Sequence, residues 1–118
     1  MGLFTWPFEV GDLNGDRFEW VEGLVDTGGS YSSLPASTLR RVGVEPTEIM
    51  EFELADGTIV ERQLGDGRAR VEGKEVLTTY IFGDEADTPL LGAYTLERVH
   101  LAVDSYGRRL IPVRASLK

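Results

Sequence analysis

Apolar residues recur at every second position in the first quarter of the chain, which is typical of half-buried β-strands. One run covers residues 4–10, from Phe4 to Val10, and a second run starts at Phe18 and continues to residue 25. Asn14-Gly15 lies between the two runs and suits a hairpin turn that needs positive φ. The pattern therefore predicts a β-hairpin whose second strand ends at Asp26.

The remaining chain continues this pattern with short strands, Gly-containing turns and little helix. Leu34 to Gly43 predicts a helix, because Pro35 suits a first helical position and Gly43 a C-terminal cap. Asp56-Gly57 predicts the turn of a second hairpin, Met50 to Leu64. Further strands are predicted at 68–72, 76–82, 101–103 and 110–113, and one or two helical turns at 93–98. Together these elements predict an all-β fold, a small barrel or sandwich, in a single domain covering residues 1–118.

Charge and composition narrow the class of function. The chain has 118 residues with 12 Lys and Arg against 20 Asp and Glu, giving a net charge of −8. This balance argues against nucleic acid and anionic membranes as partners, because both attract positive charge. The chain lacks cysteine and has a single histidine, His100, which excludes thiolate catalysis and any multi-histidine metal site. We therefore expect neither a metal nor a cofactor.

Two features of the sequence bear on location. The first residues lack the basic start and long apolar run of a signal peptide. No stretch approaches the roughly 20 apolar residues of a membrane span. A cytoplasmic protein is the expectation.

The segment that carries chemistry is Leu24-Val25-Asp26-Thr27-Gly28-Gly29-Ser30. An Asp-Thr-Gly triplet alone is a weak signal, because an aspartate at the end of a strand often only caps a loop. Its context strengthens it: the triplet ends an apolar strand, opens a Gly/Ser loop and precedes a predicted helix. Later in the chain come a hairpin with a Gly turn and the segment Leu90-Leu91-Gly92.

In these features the chain resembles the retropepsin-like aspartic proteases, in particular their small bacterial and archaeal members, from about Phe4 to Val113. The resemblance implies a closed acid-protease barrel with one or two short helices. It implies that Asp26 is catalytic, that the Thr27 hydroxyl helps to lock two active-site loops together, and that Gly28 allows close backbone approach. Ser30 fits the family pattern, whereas Gly29 stands where the family usually has Ala or Ser.

The resemblance also assigns roles to two later segments. The tip of the second hairpin, Ala55, Asp56, Gly57 and Thr58, corresponds to the flap that closes over a bound peptide. The segment Leu90, Leu91 and Gly92 corresponds to the apolar strand that supports the active site and leads into a helix.

Elementary chemistry agrees with this assignment. Peptide hydrolysis without a metal or a nucleophilic side chain needs one group to activate water and another to protonate the leaving amine. Two carboxylates held about 3 Å apart cannot both ionise, so they divide these roles. Because the chain has one Asp-Thr-Gly, the second carboxylate must come from another copy. The sequence predicts a homodimeric aspartic endopeptidase acting on peptides or unstructured proteins. The alternative is a dimeric peptide-binding or scaffolding module that lacks catalysis. Gly29 in the active-site loop favours this alternative.

Overall fold

The computed structural model describes residues 2–114, with side chains from residue 4 onward. This part of the chain forms nine strands and two short helices. The strands are β1 (Gly2–Gly11), β2 (Phe18–Asp26), β3 (Ser32–Pro35), β4 (Glu48–Glu53), β5 (Ile59–Val71), β6 (Lys74–Gly83), β7 (Leu90–Gly92), β8 (Leu101–Asp104) and β9 (Arg109–Pro112). The helices are α1 (Ala36–Val42) and α2 (Ala93–Arg98). Across the described residues, neither helix is long and apolar enough to cross a membrane.

Six strands close into a barrel. Their order is β1-β2-β7-β3-β6-β5, and β5 pairs back with β1, with Val10 opposite Ala69. Strand β4 pairs with the first half of β5 and lies outside the ring, so these two strands extend from the barrel as a hairpin. Strands β8 and β9 form a separate two-stranded sheet. The prediction of an all-β closed barrel with one or two short helices is confirmed.

The barrel interior is filled by the inward-facing residues of the alternating runs. Phe8, Val10, Ala69 and Val71 are fully buried, as their every-second-position spacing predicts. Tyr80 is also fully buried, and its hydroxyl donates a 2.8 Å hydrogen bond to the carbonyl of Arg68. Burial raises the pKa of the Tyr80 hydroxyl far above its ordinary value, so the group remains a neutral donor.

The helix predicted from Leu34 starts two residues later, and this part of the prediction was wrong. Residues 32–35 form β3, which pairs in parallel with β6 from Ser32 opposite Tyr80 onward. Leu34 points into the core and is fully buried. The predicted C-terminal cap is correct: Gly43 has φ of 104° and its N–H donates to the carbonyls of the last helical turn. The strand was missed because its partner lies nearly fifty residues away.

Strand β5 is continuous through residues 65–67, where the sequence predicted a break between two strands. Gly65 and Gly67 do not end the strand; they allow other backbone segments to approach it closely. A Cβ at Gly65 would lie 2.3 Å from the carbonyl oxygen of Glu45, and one at Gly67 would lie 2.6 Å from that of Gly11. The glycines therefore mark crossing points within a long strand.

Candidate active site

Asp26 is positioned by the pairing of two short strands. It is the last residue of β2, as the sequence predicts, and β2 runs parallel to β7 so that Asp26 lies opposite Gly92. Next to it, Val25 and Leu91 are both fully buried and anchor the strand ends in the core. The pairing brings the two predicted segments, 24–30 and 90–92, together at one end of the barrel.

The Asp26 carboxylate organises the loop that follows it. Its Oδ1 accepts a 3.0 Å hydrogen bond from the backbone N–H of Gly28, which is the geometry of a tight Asx turn. Burial raises the pKa of Asp26, but the interactions of its carboxylate, among them the hydrogen bond from Gly28, lower it by more. The pKa of Asp26 in the single chain therefore lies below its ordinary value.

The beginning of α2 fixes the loop from the other side. The N–H groups of Ala93 and Tyr94 donate to the carbonyls of Gly29 and Ser30, both at 2.9 Å. The first N–H groups of any helix lack partners within the helix, and α2 has no capping side chain at its start. The Asp26 loop supplies the missing acceptors, so loop and helix stabilise each other.

Gly92 is required by the closeness of the loop. A Cβ at this position would lie 2.5 Å from both the carbonyl carbon and the carbonyl oxygen of Tyr31, and 2.9 Å from the nitrogen of Ser32. These are backbone atoms at the start of β3, and they cannot move aside cheaply. The Leu-Leu-Gly segment therefore ends in glycine because two backbone segments touch there.

A chain of three buried hydroxyls supports this contact from inside the barrel, and sequence reasoning missed it. Ser32 Oγ accepts a 3.0 Å hydrogen bond from the Gly92 N–H and lies 2.7 Å from Thr95 Oγ1. Thr95 Oγ1 in turn lies 2.8 Å from Thr78 Oγ1. All three side chains are buried and each finds a partner. The available signal was a small polar residue in each of two strands and one helix, which does not reveal that the three meet.

The Asp26 loop lies on an open face of the single chain. Thr27, Gly28 and Ser30 are exposed, and Asp26 is partly buried. Two grooves of about 700 Å³ and 240 Å³ are both lined by other residues, so neither contains Asp26. Within residues 2–114, no three His, Asp or Glu side chains gather closely enough to hold a metal ion.

Gly29, the departure from the family pattern, is not forced by lack of space. The nearest atoms to a Cβ at this position belong to Asp26, at 3.8 Å, which is an ordinary van der Waals distance. Its φ also lies outside the left-handed region that favours glycine. The loop geometry around Asp26 thus leaves room for the Cβ of the Ala or Ser that the retropepsin-like proteases usually have at this position.

The hairpin of β4 and β5, residues 48–64 and hereafter the flap hairpin, turns as predicted at Asp56-Gly57. Gly57 has φ of 87°, and Asp56 Oδ1 accepts a 2.9 Å hydrogen bond from the Thr58 N–H. A Cβ at Gly57 would meet nothing within 4 Å, so the tip projects into open space. The hairpin approaches the Asp26 loop through Phe52, whose ring centroid lies 6.2 Å from that of Tyr31.

Comparisons with known proteins match the fold. No family model and no curated protein matches the sequence. The solution structure of the simian foamy virus (mac) protease is similar, with a TM-score of 0.54 and 16% identity, covering 78% of this chain and 92% of that one. The EIAV protease complexed with the inhibitor HBY-793 is similar with a TM-score of 0.59 and 17% identity, covering 91% of this chain and 90% of that one. A foamy viral protease-reverse transcriptase in complex with an RNA/DNA hybrid is similar with a TM-score of 0.59 and 13% identity, covering 98% of this chain and 13% of that one. The chain has the retroviral-protease fold.

Proposed function

We propose that the protein is an aspartic endopeptidase whose active site is assembled from Asp26 of two identical chains. One observation carries this proposal: the Asp-Thr-Gly loop ends β2 on an open face of a retroviral-protease barrel, on the side that the flap hairpin approaches. The fold supplies one such loop in the described residues. A two-fold axis beside this loop would bring the second carboxylate to it.

The chemistry follows from two carboxyl groups that share one proton. The ionised group takes a proton from water, and the resulting oxygen nucleophile attacks the peptide carbonyl carbon to form a tetrahedral intermediate. The protonated group then gives its proton to the departing nitrogen as the C–N bond breaks. The reaction is balanced within the pair of carboxyl groups, since one group gains the proton that the other loses.

Pairing changes the acidity of Asp26. In the single chain the interactions of the carboxylate hold its pKa below the ordinary value. A second carboxylate at hydrogen-bond distance disfavours double ionisation, so the pair titrates in two separated steps, one of them raised. Between these two steps the pair holds one ionised and one protonated member, which is the state that the proposed chemistry needs.

The flap hairpin and the exposed loop supply the binding surface for an extended peptide. Strand β4 is an edge strand whose second side carries no partner among the described strands. Backbone groups on such an edge can bind a peptide by strand addition, with the side chains on alternate positions supplying specificity. Closure of the hairpin would exclude water from the reacting carbonyl.

A pH profile with an inhibitor arm tests this function. We expect cleavage of an unstructured protein with an optimum on the acid side of neutral, because one proton must remain on the pair. A statine-type transition-state mimic should block the cleavage. A rate that still rises at about pH 9 would contradict the shared-proton mechanism, since a doubly ionised pair has no proton to give. Peptide binding without cleavage at any pH would favour the non-catalytic module instead.

A further inference from the structure

Three aromatic rings connect the Asp26 loop, the flap hairpin and α2. The ring of Tyr31 meets that of Phe52 edge to face, with centroids 6.2 Å apart and planes at 90°. On its other side it meets Tyr94, with centroids 5.3 Å apart and planes at 86°. Edge-to-face pairs at these separations are attractive beyond the apolar area that they bury. Tyr31 is therefore the middle member of a cluster that spans three elements.

Tyr31 and Tyr94 belong to the part of this cluster that is fixed to the core. The Tyr31 carbonyl is packed against Gly92, and the residues on either side of it are held by backbone and hydroxyl hydrogen bonds. Tyr94 lies in the first turn of α2, whose Thr95 and Leu96 are buried. The Tyr31 ring thus projects from a part of the structure that the core fixes.

Phe52 is the point at which the flap hairpin rests. It is the half-buried member of β4, and the other residues of that strand are exposed. In the hairpin register Phe52 lies opposite Val60, so these two side chains share one face. Glu51 and Glu61, also opposite each other, share the other face. At this point of the hairpin, Phe52 and Val60 therefore face Tyr31, and Glu51 and Glu61 face away.

We propose that Tyr31 is the seat of the flap: Phe52 closes onto Tyr31 of the same chain, and this contact sets the position of the hairpin over Asp26. Tyr31 is thus a positioning residue for the proposed peptidase, and that part of the inference rests on the proposed function. The structural part does not, because the ring contact lies within one chain. The sequence distance of 21 positions between the two residues explains why no local pattern shows it.

Hydrogen exchange of the backbone amides of residues 48–53 tests the seat directly. Tyr31→Leu removes the ring and should accelerate their exchange two- to tenfold, the effect of losing the one edge-to-face pair that Tyr31 makes with the hairpin. Tyr31→Phe keeps the ring and should exchange like the parent. Tyr106→Leu is the matched control: Tyr106 is fully exposed in the β8–β9 turn, and the same change there should leave the hairpin unaltered.

Substitution of Phe52, the partner of Tyr31 in this contact, gives an independent test. Phe52→Leu removes the same contact without touching the Asp26 loop, so it should accelerate exchange to a similar degree. The Tyr31→Leu/Phe52→Leu double variant should then exchange no faster than Tyr31→Leu alone, because Tyr31→Leu already removes the contact with Phe52. Additive effects, or parent-like exchange in Tyr31→Leu, would overturn the inference.

Kinetics separate this inference from the proposed function. In an active enzyme, Tyr31→Leu should raise KM more than it lowers kcat, because the seat holds the hairpin over bound peptide. An inactive parent protein with the expected exchange pattern would contradict the peptidase and leave the seat supported. An active parent protein with unaltered exchange in Tyr31→Leu would contradict the seat and leave the peptidase supported.

Discussion

Asp26→Asn should fold like the parent protein and lose peptidase activity by about 10²- to 10⁴-fold, the usual contribution of general acid–base catalysis. The amide oxygen of asparagine can still accept the hydrogen bond from the Gly28 N–H that shapes the loop. Only the ionisable group is removed, so neither member of the pair can take a proton from water. Cleavage of an unstructured protein measures the loss, and thermal unfolding checks the fold.

Asp12→Asn is the matched control for this experiment. The Asp12 carboxylate also organises a loop, accepting hydrogen bonds from the N–H groups of Asp16 and Arg17 in the β1–β2 turn. The same substitution there removes a charge of the same kind but lies outside the Asp26 loop. It should leave activity at the parent level. Parent-like cleavage by Asp26→Asn would show that the catalytic carboxylate lies elsewhere.

Gly92→Ala should have the largest effect on the structure of the site. The added methyl group would lie 2.5 Å from the Tyr31 carbonyl, so the loop must move. Overpacking of this kind costs about 1–3 kcal/mol of unfolding free energy. A displacement of about 1 Å at a reacting group can cost on the order of 10²-fold in rate. Chemical denaturation and turnover together measure both losses.

Gly29→Ala is the contrasting substitution on the same loop. A methyl group there meets only ordinary contacts at 3.8 Å, and the backbone φ is not one that needs glycine. The variant should keep the activity of the parent and gain about 0.4–1 kcal/mol of stability, because alanine restricts the unfolded chain. Equal damage from the two substitutions would show that Gly92 is not specifically needed for close approach.

Local patterns predicted the parts of the structure that local physics determines. The alternation of apolar and polar residues predicted the first hairpin and placed Asp26 at the end of its second strand. The Asp56-Gly57 turn was predicted because few residues other than glycine adopt positive φ there at low cost. The helical cap at Gly43 follows from the same property.

Features that depend on distant partners could not be predicted in this way. Strand β3 is too short to show a period, and it forms because Ser32 to Pro35 pair with residues 80–83. The hydroxyl chain joins Ser32 to Thr95 across 63 positions. The Tyr31–Phe52 contact depends on where the flap hairpin lies relative to the Asp26 loop. Each needs the closed barrel before its members meet.

The roles of the site residues remain predictions. The structure brings residues 24–30 and 90–92 together, and the flap hairpin reaches the loop through Phe52 rather than through its tip. The pairing of two chains is a proposal that the single chain supports through its open face and its one Asp-Thr-Gly loop. The proposed activity therefore depends most on whether one active site needs two copies of Asp26.

Subunit mixing tests this claim most directly. The parent and Asp26→Asn are mixed in equal amounts under conditions that allow subunit exchange, and exchange is verified by mass labelling. If each site needs Asp26 from both chains, random pairing leaves about a quarter of the dimers competent. Activity should then be about one quarter of that of the same total amount of parent protein. Sites confined to one chain would instead leave about half, and that result would contradict the shared site.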